Sequence, residues 1–88
     1  MKVVMLYEVA ADGMSRAAAN FPAHRARLDG FHARGVLLMA GPFAAPGRGA
    51  MGVFTTRQAA EEFIAGDPFV LNGVVGNYRL EDWNEVLA

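Results

Sequence analysis

His24 and His32 are the only histidines in the chain, and cysteine is absent. Imidazole is the side chain whose charge changes nearest neutral pH, so acid/base chemistry would begin at these two positions. At about 100° per residue, the surrounding segment puts Phe21, Leu28, Phe31 and Gly35 on one helical stripe. His24 falls inside that stripe, and Arg25, Ala26, Asp29, Ala33 and Arg34 lie opposite. His32 sits about 80° round from His24, at the rim. An imidazole aimed into an apolar layer must find a hydrogen-bond partner, or its burial costs on the order of 1–3 kcal/mol. His24 is therefore either a satisfied core histidine or an acid/base group tuned by a neighbouring carboxylate.

Asp67 is the carboxylate set most closely among apolar neighbours, between Gly66 and Pro68-Phe69. Asp-Pro also begins ordinary turns. Glu8, at the end of the first apolar run, and Asp12, in the turn after it, are the alternatives. Asp29, Glu61, Glu62, Asp82 and Glu85 read as solvated surface. Other chemistries find little support. Two histidines without cysteine make no evident zinc set, so no metal is expected. The glycines spell neither a phosphate-cradling loop nor a dinucleotide fingerprint, so no cofactor is expected either. Ser15 is the only serine and lies in no G-x-S-x-G elbow. The five methionines suit core filling better than metal binding.

The elements that must carry these residues are legible. Val3 to Val9 is β-branched and apolar on both faces, which reads as a buried strand. Ala11-Asp12-Gly13 is a turn. A helix follows, starting either near Phe21 with Pro22 in its first turn, or at Ser15 with a bend at Pro22; Ser15 or Asn20 can cap it, and Gly35 ends it. Val36 to Ala40 is a second continuous apolar run, hence a second buried strand, closed or bulged by Gly41-Pro42. Ala44 to Gly49 is a loop, and Ala50 to Phe54 a third strand. Thr55 with Gln58 offers a capping box for a second helix whose apolar face holds Ala60, Phe63 and Ile64 and which stops at Gly66. Asp67-Pro68-Phe69 opens a turn, and Gly73 to Trp83 is the last strand. The order β-α-β-β-α-β predicts an α+β, ferredoxin-like fold: a four-stranded antiparallel sheet with two helices on one face.

Length and composition bound the rest. Residues 1–88 make a single domain. The chain is 53% hydrophobic and only 19% charged, with a net charge of −1 and a pI near 6.0. That composition excludes disorder and gives no basic patch for nucleic acid. No apolar run is long enough to span a membrane, and Met1 to Glu8 lacks the apolar core of a signal peptide, so the expected location is cytoplasmic. Two helices cover one face of a sheet, yet the first two strands read as apolar on both. A second copy packed sheet to sheet would shelter the other face, which predicts a homodimer of the dimeric α/β-barrel kind.

Several segments together resemble the YCII-related (YciI-like) proteins. They are Phe21-Pro22-Ala23-His24-Arg25-Ala26-Arg27-Leu28, His32 through Pro42, Thr56 through Phe63, and Asp67-Pro68-Phe69-Val70-Leu71-Asn72-Gly73. The resemblance runs from Val3 to Trp83. The helix histidine, the Gly-Pro after the second strand and the Asp-Pro-aromatic after the second helix are specific in combination. It implies a ferredoxin-like dimer with a histidine–aspartate dyad, carried here onto His24 and Asp67. One relative removes chloride from a chlorinated hydroxyquinone, which implies acid/base work on a small aromatic or enolisable substrate. Tyr7, Phe43, Met51 and Phe69 are the expected walls of an apolar substrate pocket. The short Ala44 to Gly49 loop departs from longer relatives and would leave that pocket more open. A non-catalytic ligand-binding or accessory dimer, and a cofactor-independent α/β-barrel monooxygenase, are the rival readings.

Overall fold

A computed structural model describes residues 1–88. Strand β1 (Lys2–Val9) is followed by helix α1 (Met14–Ala33), strands β2 (Leu37–Pro42) and β3 (Ala50–Phe54), helix α2 (Arg57–Gly66), a short helix α3 (Pro68–Leu71) and strand β4 (Val75–Trp83). The sheet order is β2-β3-β1-β4, and every pairing is antiparallel. This is the ferredoxin-like α+β arrangement. β1 is central, with Val3 opposite Phe54 on one side and Asp82 on the other.

Strand alternation divides β1 cleanly. Val3, Met5 and Tyr7 are buried and share one cluster with Phe31 of α1, Leu37, Phe54, and Ala59, Ala60, Phe63 and Ile64 of α2. Phe63 anchors that layer edge-on to Phe31, with ring centroids 5.2 Å apart. Val4 and Leu6 point the other way and are half-buried. The register sets Val4 beside Val53 and Leu6 beside Met51, and it continues to Met39 and Gly41 on β2. The face without helices is thus apolar across three strands, and Met39 is 65% exposed there.

α1 takes the longer of the two anticipated forms and runs unbroken through Pro22. Its N-cap is Gly13 rather than Ser15 or Asn20; the Ser15 hydroxyl instead donates to the Asp12 carbonyl. Gly35 turns the chain out of the helix with φ +78°, a region only glycine enters freely. Several expectations need correction. Phe21 is 49% exposed rather than buried. Its ring lies 6.4 Å from that of His24, at the outer edge of the stripe. Nor is β2 a buried strand: it is the edge of the sheet, and of Leu37–Pro42 only Leu37 is buried. Thr56, not Thr55, caps α2, its hydroxyl accepting from Ala59 N–H at 3.1 Å. Thr55 is still held by the sheet, its N–H donating to the Val36 carbonyl, so the helix cannot begin until one residue later. The Asp67-Pro68-Phe69 turn is the start of a helix, because Asp67 caps it and Pro68 occupies the first turn. Glu85, read as surface, is half-buried and takes the Lys2 ammonium at 2.6 Å. No helix is long and apolar enough to cross a membrane.

Candidate active site

Three elements converge on Asp67. The residue joins α2 to α3, is fully buried, and is the only buried charged side chain in the chain. An isolated carboxylate in such a place would cost several kcal/mol of desolvation, so its oxygens must be met by donors. Oδ1 lies 2.6 Å from His24 Nδ1 and accepts the Phe69 backbone N–H at 3.1 Å. Oδ2 accepts the Tyr7 hydroxyl at 2.6 Å. Tyr7 reaches it from β1, and His24 from the middle of α1, both in the same chain.

The arrangement fixes the chemistry of the imidazole. A carboxylate accepts only, so Nδ1 carries the proton and neutral His24 presents Nε2 as a lone pair. Nε2 has no partner in the chain, and no unpartnered side-chain nitrogen or oxygen is sealed from solvent, so this nitrogen opens outward. The ring is also held flat. Phe69 stacks on it with centroids 3.8 Å apart and planes within 2°, while Phe63 meets it edge-on at 6.3 Å. Tyr7 is held in its neutral, donating form: burial first, then the hydrogen bond and the charge of Asp67, push the phenol above its usual range.

The YCII-related domain family matches residues 1–84. The chain belongs to that family. Among solved structures, this YCII-related chain is similar to the 5-chloro-2-hydroxyhydroquinone dehydrochlorinase of Burkholderia phenoliruptrix AC1100, in complex with 2,5-dihydroxybenzoquinone. The two share 19% identity over 96% of this chain and 94% of that one, with a TM-score of 0.79. At that identity the likeness establishes the fold. No curated protein matches the chain.

The anticipated site residues of the YCII-related chain divide into groups. His24, Asp67, Tyr7 and Phe69 form one connected cluster. Phe43 lines a cleft of about 250 Å³ that includes Tyr7 but not His24 or Asp67, together with Arg48, Tyr78 and Arg79. Met51 pairs with Leu6 and so lies on the sheet face away from the helices and from His24. Glu8 is exposed at the strand end, and the Asp12 carbonyl and carboxylate face Ser15 and Arg16, so neither alternative carboxylate approaches an imidazole. His32 Nδ1 meets the Leu37 carbonyl at 2.8 Å and ties the end of α1 to β2. Reading from sequence gave Tyr7 a wall's role and overlooked its hydroxyl as a partner for Asp67. The available signal was a tyrosine on the helix-facing register of a buried strand, where its hydroxyl must find an acceptor. No group of three His, Cys, Asp or Glu side chains could hold a metal ion.

Proposed function

We propose that the chain is a small-molecule enzyme in which His24 is the acid/base group and Asp67 its orienting carboxylate. The single observation that carries this reading is the 2.6 Å contact of Nδ1 with Asp67 while Nε2 is free and open. A core histidine needs a partner, but it does not need its second nitrogen left open. The apolar setting and the stacked Phe69 favour a small aromatic or enolisable substrate. The structural neighbour's name, a chlorohydroxyhydroquinone dehydrochlorinase, suggests chlorinated hydroquinones as the first compounds to try. On a chlorinated hydroxyhydroquinone, Nε2 would take a hydroxyl proton and return it to the chlorine-bearing ring carbon. A second hydroxyl proton then leaves as chloride departs. The net change is loss of HCl, the product is a hydroxyquinone, and no external oxidant is required.

The test is chloride release from a panel of chlorinated hydroquinones, with oxygen uptake followed in parallel. Wild type should release chloride, and His24→Gln should lose about 10²–10⁴-fold in rate while keeping its circular dichroism. Full activity in that variant rules out the role. Oxygen uptake in place of chloride release would favour the monooxygenase reading, and binding without product the accessory one.

We also infer a homodimer through the helix-free sheet face. The chain exposes 5473 Å², against about 5,000 Å² for a compact monomer of its 9.4 kDa mass. Val4, Leu6, Met51 and Met39 form its apolar centre around Val53, which is already buried. Sedimentation should give a dimer at micromolar concentration and a monomer for Met39→Asp; a folded wild-type monomer refutes the assembly.

A further inference from the structure

The 2.6 Å contact of His24 with Asp67 joins two elements far apart in sequence, so something must fix how α1 sits against the end of α2. Arg27 is placed to do so. It follows His24 by three residues, hence nearly one turn along the same side of α1. Its Nε donates to the Phe63 carbonyl at 3.0 Å and its Nη2 to the Glu62 carbonyl at 2.8 Å. These carbonyls lie in the last turns of α2, where the Phe63 carbonyl lacks the Asp67 N–H, which goes to Ile64, and the negative end of the helix dipole attracts a cation. The guanidinium also lies over Phe31 and Phe63, at 4.9 and 5.7 Å from their centroids. Residue 66 makes room for it: a Cβ on Gly66 would fall 2.6 Å from Cζ and Nη2 of Arg27. The residue after Gly66 is Asp67. The clamp therefore stands one residue from the carboxylate and one turn from the imidazole.

We propose that Arg27 is a positioning residue that sets the His24–Asp67 geometry by clamping α1 to the carboxyl end of α2. The other cations of α1 and its C-cap do not do this: Arg16 reaches the Asp12 carbonyl and the Gly73 carbonyl beyond α3. Arg25 pairs with Asp29 on the surface, and Arg34 lies 4.6 Å over the same Phe31 ring but reaches only the exposed Glu62 carboxylate. Lysine cannot replace Arg27 fully, since one ammonium does not reproduce a fork that meets two carbonyls. The consequence for turnover rests on the dyad reading above; the geometric claim does not.

The test uses the full chain labelled with ¹⁵N-histidine, with the ring nitrogen shifts reporting the tautomer of neutral His24. Wild type should hold the Nδ1–H form. Arg27→Met should lower the Nδ1–H to Nε2–H ratio at least about tenfold, the equivalent of about 1.4 kcal/mol. Arg27→Lys should fall between the two. Gly66→Ala, which crowds the guanidinium while leaving the sequence of α1 unchanged, should act in the same direction and add nothing further in the Arg27→Met background. Arg34→Met is the control and should leave the tautomer unchanged. An unaltered His24 tautomer in folded Arg27→Met overturns the proposal. Should that variant fail to fold, an unaltered tautomer in both Gly66→Ala and Arg27→Lys overturns it equally. An inactive wild type with the expected tautomer shifts would remove the proposed reaction and leave the clamp standing.

Discussion

Replacing Tyr7 by phenylalanine tests the polar core directly. The ring stays, so no cavity opens, and only the hydroxyl that donates to Asp67 Oδ2 at 2.6 Å is lost. Asp67 is fully buried, so water cannot substitute for the missing donor. A hydrogen bond to a charged partner contributes about 1.5–3 kcal/mol. In a domain of this size that lowers the melting temperature by on the order of 10 °C. The pH dependence carries a second, independent signature. The folded-state pKa of Tyr7 is raised, chiefly by burial and next by its bond to Asp67. Its contribution is therefore fully present below the unfolded phenol pKa, about 10, and declines above it. There the unfolded chain sheds a proton that the folded chain keeps, so stability falls by up to about 1.4 kcal/mol per pH unit. The phenylalanine variant lacks that slope. Urea unfolding at fixed protein concentration should show wild type the more stable at pH 7 and the two curves converging above about pH 10. Equal midpoints at pH 7, or a gap that stays constant to pH 11, would refute the account of Asp67 as a carboxylate held by Tyr7.

Two further variants probe how the site is carried. Gly49 has φ +93°, and a Cβ there would collide with the Tyr7 carbonyl, whereas Gly47 has φ +73° with open space around it. Gly49→Ala should thus unfold at markedly lower denaturant than Gly47→Ala, whose backbone penalty alone is about 1–2 kcal/mol; similar midpoints for the pair would contradict the close approach of that loop to β1. Thr56→Ala should cost about 1 kcal/mol of stability and Thr55→Ala less through capping, because only Thr56 accepts from the start of α2; the reverse order in thermal unfolding would return the cap to Thr55.

Much of the architecture could be read from local patterns. The apolar runs at β1 and β2, the glycines closing the helices and the helical stripe around His24 each carry their own signal, since strand and helix periods differ and glycine punctuates them. Even Asp67 stood out, as an acidic residue in apolar company. Its pairing with His24 was legible only through the family resemblance. Residue patterns alone left Glu8 and Asp12 as alternatives, because sequence separation says nothing of which carboxylate folds back onto α1. Boundary details failed for related reasons. Thr55 and Thr56 are chemically alike, and only the ladder bond from Thr55 to Val36 decides which is free to cap. Phe21 fits the stripe but is half exposed beside the His24 ring, which periodicity alone does not reveal.

By itself the sequence determined the order of the elements, the apolar surplus and the presence of an imidazole on the inward face of α1, since all of these depend on residues within a few positions of one another. Tertiary structure alone decided that Asp67 meets His24 and Tyr7 at once, with α1 long enough to bring its middle over the end of α2. A fully buried carboxylate needs several donors together, and those donors come from strand, helix and turn segments that only the packed fold sets side by side.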